Sequence, residues 1–169
     1  MESRAKIVGH SIHQILIVFP LGLLATAVIF DLIHAATGSV TMAIVTYWTM
    51  AAGIIGGLVA APFGTIDWWA IPPNTRAKSI GLAHGATMVA AVLLFVASFA
   101  MRINTPENPM ALATWLAVAG GVAAIVGGWL GGELVSRLGV GVDDGANLNA
   151  PSSLRSETAI RFRQPGPTI

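Results

Sequence analysis

VTMAIVTYWTMAAGIIGGLVAAPF, Val40 to Phe63, carries no charged residue. A helix needs about 20 apolar residues to cross the hydrocarbon core of a bilayer, and this stretch supplies them without interruption. Three more runs of the same kind surround it: Ile12 to Ile33, Ile80 to Met101 and Ala111 to Gly132. The first is broken only by His13, Gln14 and a terminal Asp31. The third contains one ionisable group, His84, and the fourth contains none. The links between them are short and hold helix breakers: Thr37-Gly38-Ser39, Pro72-Pro73-Asn74, and Thr105 to Pro109. Short links make neighbouring spans antiparallel. The expected fold is an all-α integral membrane four-helix bundle, up-down-up-down, over residues 1–142.

Composition agrees. Only 10% of the residues are charged and 54% are hydrophobic, whereas soluble domains carry roughly 25% charged residues. The formal net charge of +1, with no basic patch interleaved with aromatics, gives no basis for nucleic-acid binding. The absence of cysteine removes disulfides, iron–sulfur clusters and thiol catalysis. Arg4 and Lys6 ahead of the first run mimic a signal peptide, but the run is long and lacks a small-residue cleavage site, so it reads as a retained span.

Of the nine basic residues, Arg102 alone falls on one side of the membrane. The positive-inside rule then places both termini in the cytoplasm, in a bacterial-type inner membrane. Residues 143–169 turn polar, with Asp143-Asp144-Gly145 and scattered prolines and arginines. They are expected to form an irregular cytoplasmic tail, disordered or docked on a partner. Tyr47, Trp48 and Trp68-Trp69 suit the interfacial aromatic belts.

Two rows of small residues mark the fourth span: Gly120, Ala124, Gly128, Gly132 and Ala119, Ala123, Gly127, Gly131. Small residues spaced by four let another backbone approach, either inside the bundle or from a second protein. Span two has a shorter version around Gly53 and Gly57. Pro20, inside span one, has no N–H and is expected to kink its helix.

Ionisable groups at membrane depth are costly and mark candidate sites. His10, His13, Asp67, His84 and Glu133 converge on the cytoplasmic end, while Asp31 and His34, three residues apart, look like an interfacial pair at the other. His13 and His84 lie about one turn inside their helices, at similar depth, on helices separated by one span. Two imidazoles so placed suit axial ligation of haem iron, or with Asp67 a His/His/carboxylate metal site. The same trio also suits a hydrogen-bonded polar knot, or a path for protons. His10 reads as a solvated residue. No Ser/His/Asp order, phosphate loop or zinc-helix motif is present, and no independent catalytic activity is expected.

The run Gly9-His10-Ser11-Ile12-His13 through Val18-Phe19-Pro20-Leu21, then Ala61 to Asp67, then His84, then Gly131-Gly132-Glu133-Leu134-Val135 through Gly139 to Val142, resembles a bacterial four-span family, domain of unknown function 2231 (DUF2231). The resemblance spans roughly residues 9 to 142. It implies the same four-helix fold and makes His13, Asp67 and His84 the pattern's polar positions. Family members look like companions of redox proteins, sometimes joined to Rieske-type or cytochrome modules. This chain departs from the pattern at Ser11 and Gln14, where prolines are usual, and at Val18 and Leu138, where histidines stand.

The expected function is a small membrane component associated with electron transfer, with haem b held by His13 and His84. The contrasting expectation is a non-catalytic subunit packing against other membrane subunits, or against a second copy, through its glycine-rich fourth helix and its tail. A transporter fits worst, since no inverted repeat is visible.

Overall fold

A computed structural model gives the architecture and describes residues 1–154. The last three arginines, Arg155, Arg161 and Arg163, and the tail beyond Leu154 lie outside the described residues. The described residues are all-α apart from one small hairpin, in which β1 (Lys6–Ile7) pairs antiparallel with β2 (His10–Ser11). Its turn is Val8-Gly9, both at positive φ (49° and 81°), as a tight two-residue hairpin turn demands.

Five helices follow: α1 (Ile12–Leu16), α2 (Val18–Thr37), α3 (Val40–Ala70), α4 (Arg76–Ala100) and α5 (Ala111–Ser136). Taken together, α1 and α2 form one span, so the described residues hold four helices long and apolar enough to cross a membrane. The joint at Ile17 lies one turn before Pro20. Proline offers no N–H to the carbonyl of Leu16, and the ladder is interrupted there. Local signals mark several of the helix ends. Gly38 takes the left-handed conformation (φ 70°) after α2. Ile71 turns extended ahead of Pro72 and Pro73. Thr75 caps α4 by accepting from the Lys78 N–H. The second span is longer than expected. It carries Trp68 and Trp69 inside α3, where Trp68 donates to the Lys78 carbonyl (3.1 Å) and Lys78 sits over the Trp68 ring.

The helices pack as two hairpins, α2 with α3 and α4 with α5, which close against each other around Leu24, Ala27, Met50, Ile54, Phe95 and Ala117. The outer faces are as apolar as the inner ones: Trp48, Trp115, Ile125 and Trp129 all stand exposed. Helices apolar all round belong in lipid.

The small residues of α5 are divided by this packing. Gly120 lies under the Phe95 ring, Gly127 under Met88 and Gly131 under His84, whereas a Cβ at Gly128 or Gly132 would meet nothing within 4 Å. Of the two readings of these rows, packing inside the bundle applies to Gly120, Gly127 and Gly131, while Gly128 and Gly132 face outward. Each step of four advances a helix by slightly more than a turn, so a row drifts off the seam. The buried seam runs Ala113, Ala117, Gly120, Ala124, Gly127 instead. Gly128→Leu is accordingly expected not to destabilise the single chain, and to raise its stability by up to about 1 kcal/mol, the helix-propensity gain of replacing glycine. Thermal unfolding in detergent checks this.

Candidate functional site

The two ends of the bundle hold different polar groups. At the end shared by residues 1–11 and by the chain leaving α5, the His13 ring (α1) and the His84 ring (α4) approach to 6.4 Å between centroids, with their planes 87° apart. Neither ring is fully buried. Each is held by the same device. His13 Nδ1 lies 3.1 Å from the carbonyl oxygen of Ala60 on α3, and His84 Nδ1 lies 2.8 Å from that of Gly127 on α5. A carbonyl only accepts, so Nδ1 is the protonated nitrogen and a neutral ring keeps its lone pair on Nε2. Four residues beyond each carbonyl a glycine makes room for the ring. A Cβ on Gly64 would stand 2.7 Å from His13 Cε1, and one on Gly131 would stand 3.2 Å from His84 Cε1. The structure thus brings the two expected histidines together.

Asp67 goes elsewhere. Its carboxylate accepts from Ser3 Oγ (2.9 and 2.8 Å), from the Arg4 N–H (2.7 Å) and from the Ala5 N–H (3.3 Å). Among the described residues no three His, Cys, Asp or Glu side chains gather as a metal site. The expected His/His/carboxylate group and an orienting bond from Asp67 to an imidazole are therefore corrected. The buried carboxylate is saturated by donors from the N-terminal segment, which it holds across the end of α3. That segment is tied further by mutual bonds between Met1 and residues 139–141, and by Lys6 to Glu2 and Asp143. Outside the spans, the Lys6 ammonium keeps the Glu2 carboxyl below its ordinary range. His10 is exposed, with Nδ1 on the Val8 carbonyl, and Glu133 pairs with Arg76 at 2.6 Å.

At the opposite end the expected Asp31–His34 pair does not form. His34 Nδ1 bonds the Ser39 carbonyl (2.9 Å). Asp31 is fully buried and receives both Arg102 guanidinium branches, Nη1 at 2.8 Å and Nη2 at 2.5 Å. Ser98 Oγ accepts from Arg102 Nε and Nη2 and donates to the Ala113 carbonyl at 2.6 Å. Arg102, the lone basic residue of its side in the sequence, is fully buried. The signal was present: an acid and a base closing spans one and three at the same end.

These features define a polytopic membrane protein whose four helices pair into two hairpins, with a histidine pair at one end and a buried ion pair at the other. The model of one family, described as predicted membrane protein (DUF2231), matches residues 9–144, and the chain belongs to that family. No curated protein and no solved structure matches it.

Proposed function

We propose that the chain is a small membrane component of electron transfer in which His13 and His84 hold a b-type haem. The observation that supports this is the ring pair. The two rings approach to 6.4 Å between centroids, close enough that His13 and His84 would both offer a ring nitrogen to one iron. Carbonyl bonds at both Nδ1 atoms free both Nε2 atoms and fix the ring orientations, as the partners of metal-bound histidines do. When bound, haem supplies a one-electron redox centre. Ala60 and Gly127 orient the rings, and Gly64 and Gly131 give them space. By the charge bias, this end faces the cytoplasm of a bacterial-type cell. Alkaline phosphatase fused after Leu154 should then be inactive and fused near Glu107 active.

The deciding experiment is a visible spectrum of the detergent-purified protein expressed with haem supplied. A Soret band is expected, lost in both His13→Ala and His84→Ala. A wild-type protein without the band, given adequate haem, overturns the reading.

The open strip at Gly128 and Gly132 favours a second reading, a non-catalytic subunit that receives another membrane protein or a second copy on that face. Under it, Gly128→Leu changes the size of the native complex while leaving the single chain stable.

A further inference from the structure

We infer that the chain consists of two copies of one helical hairpin joined about a two-fold axis along the bundle, with the histidine pair on that axis at one end and the Asp31–Arg102 pair on it at the other. The argument begins with spacing. Asp31 and Arg102 are 71 residues apart, and the same step carries His13 to His84, Leu24 to Phe95 and Ala27 to Ser98. Within the first hairpin the His13 ring and its carbonyl are 47 residues apart, and within the second the His84 ring and its carbonyl are 43 apart. The hydroxyl link between Thr46 and the Ala27 carbonyl spans 19 residues, and that between Ser98 and the Ala113 carbonyl spans 15. Both differences are four residues. They fit a single longer connection in the first hairpin, where α2 runs on to Thr37 past Asp31 while α4 ends before Arg102.

The contacts repeat with the spacing. Gly53 makes room for Leu24, and its counterpart Gly120 makes room for Phe95. Gly64 makes room for His13 and Gly131 for His84. Trp48 and Trp115 correspond and are almost equally exposed, 66% and 67%. The hydroxyl bond joins the same pair of positions in both hairpins, with the donor on the second helix in one (Thr46) and on the first helix in the other (Ser98). Finally, His13 touches His84 and Asp31 touches Arg102, each its own counterpart. A position meets its own equivalent only on a two-fold axis. Because spans one and three run parallel, that axis follows the membrane normal, as in parallel-repeat transporters.

This inference stands apart from the haem reading and makes a demand that nothing else does. If positions 31 and 102 are equivalent, the ion pair can be reversed, provided the guanidinium at 31 finds the hydroxyl that Arg102 finds in Ser98. The counterpart of Ser98 is Ala27. We therefore compare Arg102→Asp, Asp31→Arg with Arg102→Asp, and the same double change with Ala27→Ser, by thermal unfolding of the full chain in detergent. The single change is expected to lower the midpoint most and the double change to recover part of it. Adding Ala27→Ser should recover most of the remainder. A triple variant no more stable than the double overturns the inference. A gentler test covers the case in which none of these folds: Ala27→Ser should restore the midpoint lost in Thr46→Ala, because it moves the hydroxyl to the helix that carries it in the other hairpin. Failure to restore overturns the inference too. A missing Soret band in the wild type touches only the haem reading.

Discussion

Arg102→Met should cost about 3–5 kcal/mol, the usual penalty for removing one partner of a buried ion pair. The total stability of a domain is only about 5–15 kcal/mol. Asp31 has no exposed surface, and among its described partners the two guanidinium branches supply its side-chain donors. Among the described residues every buried side-chain nitrogen and oxygen has a partner. The substitution would strand a carboxylate in an apolar bundle, and Ser98 would lose the donors it accepts from. Arg102→Lys should fall between, since one ammonium cannot reproduce the two-branched grip and also reach Ser98. The informative control is Asp31→Leu with Arg102→Met. An apolar replacement of a whole buried pair is often neutral or stabilising, so the double variant should recover most of the loss. Unfolding midpoints for the four proteins give the answer. An Arg102→Met protein as stable as the wild type would show that the pair holds nothing together.

What the sequence could tell, and what it could not, follows from how far each signal reaches along the chain. The spans are local: a run such as Val40 to Phe63 needs no partner to be recognised, and the helix stops at Gly38 and ahead of Pro72 are local too. The convergence of His13 and His84 was legible because depth in a span can be counted from its end. Three things were not. Asp67 lies at the same end, but its donors are the Ser3 hydroxyl and the backbone N–H groups of residues 4 and 5, and a backbone donor has no sequence signature. The N-terminal segment was expected to be a simple charged lead-in, and its hairpin depends on a turn of only two residues. The repeat was hidden because equivalent positions seldom carry the same residue. Asp31 answers Arg102, Ala27 answers Ser98 and Leu24 answers Phe95, and a match of apolar with apolar is uninformative in a chain that is 54% hydrophobic. The glycines of α5 are a different case. The spacing was right for close packing, but only the fold decides which side of a drifting row turns inward.

Gly64→Ala should destabilise the protein, and the sign of its effect is the test. In an exposed helix interior, Gly to Ala stabilises by up to about 1 kcal/mol, because alanine loses less backbone freedom. At Gly85, where a Cβ meets nothing within 4 Å, that gain should appear in full. At Gly64 the new methyl would lie 2.7 Å from His13 Cε1 and 2.9 Å from Nδ1, closer than any stable contact. The ring cannot simply slide, since Nδ1 is bonded to the Ala60 carbonyl on the same helix, one turn away. Either the bond breaks or α1 moves off α3, and overpacking of this kind costs about 1–3 kcal/mol. That outweighs the helix gain. Gly131→Ala is the milder counterpart, with its methyl 3.2 Å from His84 Cε1, so the expected order of midpoints is Gly85→Ala above wild type, then Gly131→Ala, then Gly64→Ala lowest. Nitrogen NMR of imidazole-labelled protein should also show His13 losing its Nδ1–H bond in Gly64→Ala while His84 keeps its own. A Gly64→Ala protein that is stabilised like Gly85→Ala, with the His13 signal unchanged, would mean that the ring does not rest on that glycine.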